Sequence, residues 1–163
     1  MKIIVLSGNA SAGKTTTLKM LIAMLLCHGA RIVWCRRNPY PTCQSLWDEI
    51  KIEMQNHIPP KELTVVLEYK GKHIGIRSFG DVYSDAICAI KFFEQHKCDI
   101  GILPCRPNSD AQKLIEETYH EDITPFEKEK SPRDASDKAK WDTNITMAER
   151  IFEEIEKIIP LLP

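Results

Sequence analysis

The residues best suited to chemistry lie near the start of the chain, in the pattern G-x-x-x-x-G-K-T. Gly8 and Gly13 are its glycines, Lys14 and Thr15 follow, and an apolar run at residues 3–6 comes before it. Glycines and small residues let a backbone curl around an anion, and the first N–H groups of a following helix point into the same space. A lysine ammonium there neutralises phosphate oxygens, and a threonine hydroxyl holds Mg²⁺. The pattern therefore predicts a phosphate-binding loop between a strand and a helix.

This stretch, G-N-A-S-A-G-K-T, resembles the Walker A loop of the P-loop NTPase superfamily. The resemblance is specific over residues 3–17, and leucine and isoleucine recur at helical spacing directly afterwards. It implies an α/β sandwich that binds a magnesium–nucleotide complex, but it does not choose a reaction. The residues that it implies for nucleotide binding are Gly8, Asn9, Ala10, Ser11, Ala12, Gly13, Lys14, Thr15 and Thr16, with Lys14 also catalytic and Thr15 also a magnesium ligand.

Composition and length narrow the class of protein. The chain has 163 residues, a formal net charge of −1 and 43% hydrophobic residues, which is typical of one globular domain. This charge gives no signal for nucleic acid, and no apolar run is long enough to span a bilayer. The chain enters its first core strand directly after Met1, without a signal peptide. We therefore expect a cytoplasmic protein with no membrane contact.

The chain contains six cysteines, and none of them forms a C-x-x-C pair typical of a zinc site. Most lie in apolar stretches, where a thiol packs as a small hydrophobic group. We therefore expect buried, reduced thiols and neither a disulfide framework nor a structural metal. The six are Cys27, Cys35, Cys43, Cys88, Cys98 and Cys105.

Apolar runs alternate with amphipathic segments along the whole chain, which indicates an α/β fold. We expect a three-layer α/β/α sandwich of the P-loop NTPase type, formed as a single domain from residues 1–163. Its sheet should be mostly parallel, with one antiparallel edge strand from a hairpin that turns at Gly71. The expected strands are 2–7, 31–35, 63–69, 73–78, 99–103 and 121–126, and the expected helices are 14–28, 43–57, 82–97, 110–120 and 144–159.

Asp81 is the candidate for the carboxylate that a P-loop enzyme needs near its metal. It follows the apolar run 73–78, but Ser78-Phe79-Gly80 intervene, whereas the usual pattern places the aspartate directly on the strand. Asp81 is therefore a magnesium ligand and catalytic residue, or else an N-cap for the helix that follows. The residues alone leave both roles open.

Two further loops leave the carboxyl ends of predicted strands, which is the edge of an α/β sheet where ligands bind. One carries Arg36 and Arg37, which could bind phosphate or form a solvated turn. The other carries Arg106, a candidate to stabilise a transferred phosphate, followed by Asn108 and Ser109, which we expect to cap the next helix.

A charged tract covers residues 127–142 and has few apolar side chains. In small P-loop kinases, a basic lid closes over the phosphates and excludes water. Arg133 and Lys138 could act in this way, or the tract is a solvated, mobile loop that adds nothing to the core.

The reaction remains open among three classes. The loop ending Gly13–Thr17 resembles that of the signal-recognition and partitioning ATPases. The second position of the loop is Asn9, however, and the extra signature lysine of the partitioning ATPases is not present. No N-K-x-D stretch is present to read guanine, so ATP is favoured over GTP. We expect Mg²⁺-dependent binding and hydrolysis of a purine nucleotide. The alternatives are a small-molecule or nucleotide kinase, with its phosphate acceptor, and a non-hydrolysing switch that reports to a protein partner.

Overall fold

The computed structural model of the chain describes residues 1–10, 12–80 and 82–163. Five helices are described: α1 (Lys14–Cys27), α2 (Cys43–Gln55), α3 (Tyr83–Gln95), α4 (Asp110–Tyr119) and α5 (Asp137–Ile158). The strands are β1 (Lys2–Ser7), β2 (Arg31–Cys35), β3 (Thr64–Tyr69), β4 (Lys72–Arg77), β5 (Ile100–Cys105) and β6 (Ile123–Glu127). Short 3₁₀ turns follow α4 and α5. In the described part of the chain, no helix is both long and apolar enough to cross a membrane.

The six strands form one mostly parallel sheet in the order β2-β3-β4-β5-β1-β6. β1 pairs in parallel with β5 and β6, and β4 pairs in parallel with β5, whereas β3 is antiparallel to both of its neighbours. The hairpin turn between β3 and β4 is made by Lys70 and Gly71, both with positive φ. The prediction that the antiparallel strand lies at the edge is wrong, because β2 pairs with the free side of β3.

Helices cover both faces of the sheet, which is compatible with the predicted sandwich. Side chains of a strand point alternately to its two faces, so neighbours on β1 enter different cores. Ile4 and Leu6 pack in one hydrophobic cluster with α1, α2 and α5, and Ile3 and Val5 pack in a second cluster with α3 and α4. β1 is therefore buried on both faces, and the loop that follows it starts from a fixed point.

All but one of the predicted boundaries lie within two residues of the observed ends, and two of the differences have a clear structural cause. β5 continues through Pro104 and Cys105, because Cys105 remains paired with Ser7 of β1. α5 begins at Asp137, inside the charged tract, because Ser136 caps it by accepting a hydrogen bond from the backbone N–H of Ala139 at 3.1 Å.

A buried ion network joins α1 to α2. Lys19 is fully buried, and its ammonium lies 2.5 Å from Glu49 and 2.6 Å from Glu53. Glu53 also accepts from the backbone N–H of Lys61 at 2.7 Å, and Glu49 accepts from Arg37 at 2.7 Å. Burial raises the pKa of Glu49, but the hydrogen bonds from Lys19 and Arg37 outweigh it and keep this pKa below its ordinary value. The two helices are thus held together by charges that satisfy one another.

The expectation for the cysteines is only partly correct. Cys27 and Cys43 form a disulfide with Cα atoms 5.3 Å apart, so the end of α1 is covalently joined to the start of α2. The sequence pattern missed this pair because their proximity depends on how the two helices pack. Cys88 is exposed. Cys35, Cys98 and Cys105 are buried thiols as predicted, and burial raises the pKa of Cys98 to about 12.

We expect the double variant Cys27→Ser/Cys43→Ser to lose about 3 kcal/mol of unfolding free energy, because the disulfide restricts the unfolded chain. The cysteines are 16 positions apart, which is the loop length for this estimate. Urea unfolding measures the loss, and Cys88→Ser, at an exposed free cysteine, is the matched control. An unchanged unfolding midpoint in the double variant would contradict the prediction.

Candidate functional site

The loop after β1 is a tight turn that leads directly into α1. The backbone N–H of Gly8 donates to the carbonyl of Cys105 at 3.1 Å, and that of Ala12 donates to Asn9 at 3.1 Å. Gly13 has φ +86°, a left-handed conformation that favours glycine, and α1 begins at the next residue. The predicted strand–loop–helix arrangement is therefore present, while Ser11 lies outside the described residues.

Lys14 points back into the turn. The residue is only 8% exposed, and its ammonium donates to the carbonyl of Gly8 and lies 3.5 Å from that of Asn9. The side chain thus places a positive charge within the curve of the loop, beside the first residues of α1. A phosphate in this position would meet a buried cation.

The amino-terminal end of α1 adds backbone donors to this charge. Among the described residues, no side chain caps α1 at Gly13 and no acidic residue lies in its first turn. The hydroxyl of Thr17 donates to the carbonyl of Gly13 at 2.8 Å, and so it does not use an N–H of that turn. The first N–H groups and the positive end of the helix dipole therefore remain suited to an anion.

The two glycines of the pattern are required by close neighbours. A Cβ at Gly8 would lie 2.8 Å from the carbonyl oxygen of Lys128, and a Cβ at Gly13 would lie 2.6 Å from Oδ1 of Asn144. Neither approach is compatible with a larger residue. The loop is thus held from outside by the chain after β6 and by α5.

A cavity of about 840 Å³ opens above the loop. Of the residues implied for nucleotide binding, Gly8 is buried below the cavity, and Asn9 is exposed without lining it. The members of this set that do line the cavity are Ala10, Ala12, Gly13, Lys14, Thr15 and Thr16.

One wall of the cavity carries a group of apolar residues beside the polar Glu53, His57 and Glu62. The group is formed by Met54 near the end of α2, by Ile58, Pro59 and Pro60 directly after that helix, and by Phe79 after β4. These residues were not among the predicted site residues, because nothing in their local pattern indicates that α2 ends beside the loop. Apolar walls with a few polar groups are typical of small-molecule sites.

The charged tract forms another wall. Lys130 and Arg133 line the cavity, whereas Lys138 pairs with Asp142 at 3.7 Å and does not line it. The tract also contributes to the packing, contrary to expectation: Lys128 is 3% exposed, its backbone N–H donates to Ser7 at 2.7 Å, and burial lowers its side-chain pKa. Arg133 therefore lies beside the cavity and Lys138 does not, and a lid role for the tract stays a prediction.

Other predicted residues lie away from the cavity or outside the described part of the chain. Arg106 is exposed and does not line the cavity, so its catalytic role stays a prediction. Ser109 caps α4 as predicted, accepting from the backbone N–H of Gln112 at 3.2 Å. Arg37 is held by Glu49 in the ion network. Asp81 lies outside the described residues.

Asn144 is the clearest site residue that sequence reasoning missed. It is 6% exposed, it contacts the loop at Gly13 and it lines the cavity, together with Lys140 one turn earlier on α5. A signal was available: Asn144 occupies a position in the otherwise apolar buried face of α5.

Comparisons with known proteins identify no relative. The chain matches no protein-family model, no curated protein and no solved structure. The resemblance to P-loop NTPases therefore depends on the residues of the loop and their geometry, and the activity that it implies is a proposal.

The loop and cavity fit a magnesium–nucleotide complex. Ligand sites of this kind occupy about 300–1,000 Å³, and the cavity has about 840 Å³. Thr15, in the first turn of α1, lines the cavity with its neighbour Lys14. Among the described residues no group of three or more His, Cys, Asp or Glu could hold a metal alone, and Mg²⁺ in nucleotide sites needs only one or two protein ligands beside phosphates and water.

Proposed function

We propose that this chain is a P-loop protein that binds ATP with Mg²⁺ and hydrolyses it. The observation that carries the proposal is the position of Lys14: a buried ammonium within the curve of a G-x-x-x-x-G-K-T loop, at the start of α1 and on the floor of a cavity. A solvated turn would not need a buried lysine at this point.

Each residue of the loop has a distinct task in this proposal. The N–H groups at the start of α1 and the Lys14 ammonium bind and orient the phosphates. Thr15 holds Mg²⁺, which neutralises phosphate charge when bound. Asp81, as the second magnesium ligand, and Arg106, as a catalytic cation, remain proposals from the sequence. Phosphoryl transfer needs little covalent work from the protein, so positioning and charge are the main contributions.

A second candidate function, transfer of the phosphate to a small-molecule acceptor, is favoured by the wall opposite the loop. Lys130, Arg133 and Lys140 bring three basic side chains to the cavity, and the same segment contributes one acidic side chain, Asp137. A basic wall that closes over phosphates excludes water and so favours transfer over hydrolysis. The apolar wall at Met54 and Phe79 leaves room for an acceptor.

Phosphate release from MgATP by the purified chain, with no acceptor added, tests the proposal, with nucleotide binding followed in parallel by calorimetry. Steady release identifies an ATPase. Tight binding without release contradicts hydrolysis and favours the kinase or a switch that waits for a partner, and a screen of acceptors separates these two. No binding of ATP or GTP would overturn the nucleotide assignment itself.

The cytoplasmic location predicted from the sequence also remains a proposal. The Cys27–Cys43 disulfide is the observation against it, because thiols in the cytosol are normally kept reduced.

A further inference from the structure

Asn144 interrupts the buried face of α5. Every other buried residue of this helix is apolar, and they follow one another at the spacing of a single helix face. They are Met147, Ala148, Ile151, Ile155 and Ile158. A leucine at position 144 would extend this face towards the loop, so the asparagine needs a separate explanation.

No hydrogen bond of the Asn144 amide is found among the described residues, although the residue as a whole is only 6% exposed. Its amide atoms are not among the fully buried polar atoms that lack a partner, so the amide is open to the cavity, where a ligand can reach it. Its surroundings offer one direction in which a partner could lie, because Asn144 lines the cavity above the loop.

The neighbours of the amide indicate the chemistry of that partner. Oδ1 of Asn144 would lie 2.6 Å from a Cβ on Gly13, so the amide packs directly against the N-cap residue of α1. Lys14 is the next residue after Gly13, and it lines the same cavity as Lys140, which lies one helical turn before Asn144. A helix start and two lysines select an anion, and the amide N–H can donate to one.

We infer that Asn144 is a ligand-contacting residue whose amide donates a hydrogen bond to a phosphate oxygen of the bound nucleotide. The inference rests on the nucleotide binding proposed above and adds α5 as a second side of the phosphate site. Asn144 therefore contacts the polyphosphate part of the ligand and not the purine base.

Calorimetric titration with MgATP and with magnesium pyrophosphate tests this assignment. Asn144→Asp keeps the shape but replaces the donor by an anion, and Asn144→Leu removes the polar group while extending the apolar face. We expect both variants to bind both ligands about tenfold or more weakly, the worth of one hydrogen bond to a charged group. Asn108→Asp, an exposed change outside the cavity, is the control for added negative charge.

Thermal unfolding without ligand separates binding from stability. We expect Asn144→Leu to unfold at the wild-type temperature or above it, because leucine extends the apolar buried face of α5. If the variants lose affinity for MgATP but bind magnesium pyrophosphate as the wild type does, Asn144 contacts the nucleoside and the inference is overturned. Wild-type affinity in both variants, while Lys14→Ala loses binding, would overturn this inference alone. A wild-type chain that binds neither ligand would overturn the proposed function as well.

Discussion

Replacement of Lys14 by alanine is expected to weaken MgATP binding about 100-fold or more while the chain remains folded. The ammonium is the buried cation within the loop, and a charge-assisted contact with phosphate is among the strongest that a side chain makes. Lys14 lies at the first position of α1 and lines the cavity, so we expect its removal to leave the two hydrophobic clusters in place. Calorimetry measures the affinity, and circular dichroism during heating measures the unfolding temperature.

Lys113→Ala is the matched control for this variant, because Lys113 is an exposed lysine on α4 that does not line the cavity. It should bind MgATP as the wild type does. Undiminished affinity in Lys14→Ala would refute the assignment of the loop. A variant that fails to fold would show instead that the bond from Lys14 to the Gly8 carbonyl is needed for the fold.

Replacement of Lys19 by methionine should have the largest effect on stability, a loss of about 3–5 kcal/mol of unfolding free energy. Lys19 is fully buried between Glu49 and Glu53, so its removal leaves the two carboxylates with less compensation inside the protein. Glu49 retains Arg37, whereas among the described residues Glu53 retains a backbone N–H alone. Urea unfolding at neutral pH measures the loss.

A second substitution tests the reason for this loss. Lys19→Met combined with Glu53→Gln removes the uncompensated charge but keeps an acceptor for the backbone N–H of Lys61, so it should recover more than half of the lost stability. Lys51→Ala, at an exposed position of α2, is the control and should change stability by less than about 0.5 kcal/mol. If the double variant is no more stable than Lys19→Met, burial of the lysine chain and not its charge holds α1 to α2.

Features that depend on neighbouring residues were predictable. The limits of β1 and α1 follow from an apolar run, a glycine-containing loop and a periodic helix, all within the first residues of the chain. Gly29 and Gly71 both have the positive φ that their positions after a helix and in a hairpin require. Ser109 could be assigned as a cap because capping is a contact between residues close in sequence.

Features that depend on distant residues were not predictable. Cys27 and Cys43 lie in different helices, and neither residue type nor spacing indicates that these helix ends meet. β3 lies inside the sheet because β2, which is distant in sequence, pairs with it. Lys128 is buried because it contacts the end of β1. The composition of the charged tract alone does not predict this contact.

The candidate site combines both kinds of information. The phosphate-binding loop is continuous in sequence, so residue order alone determines its glycines, its lysine and the helix that follows. The cavity above it is assembled from the end of α2, the residue after β4, the charged tract and the start of α5, and only tertiary packing brings these together. Asn144 illustrates the difference: its residue type is visible in the sequence, but its contact with Gly13 exists only because α5 packs against α1.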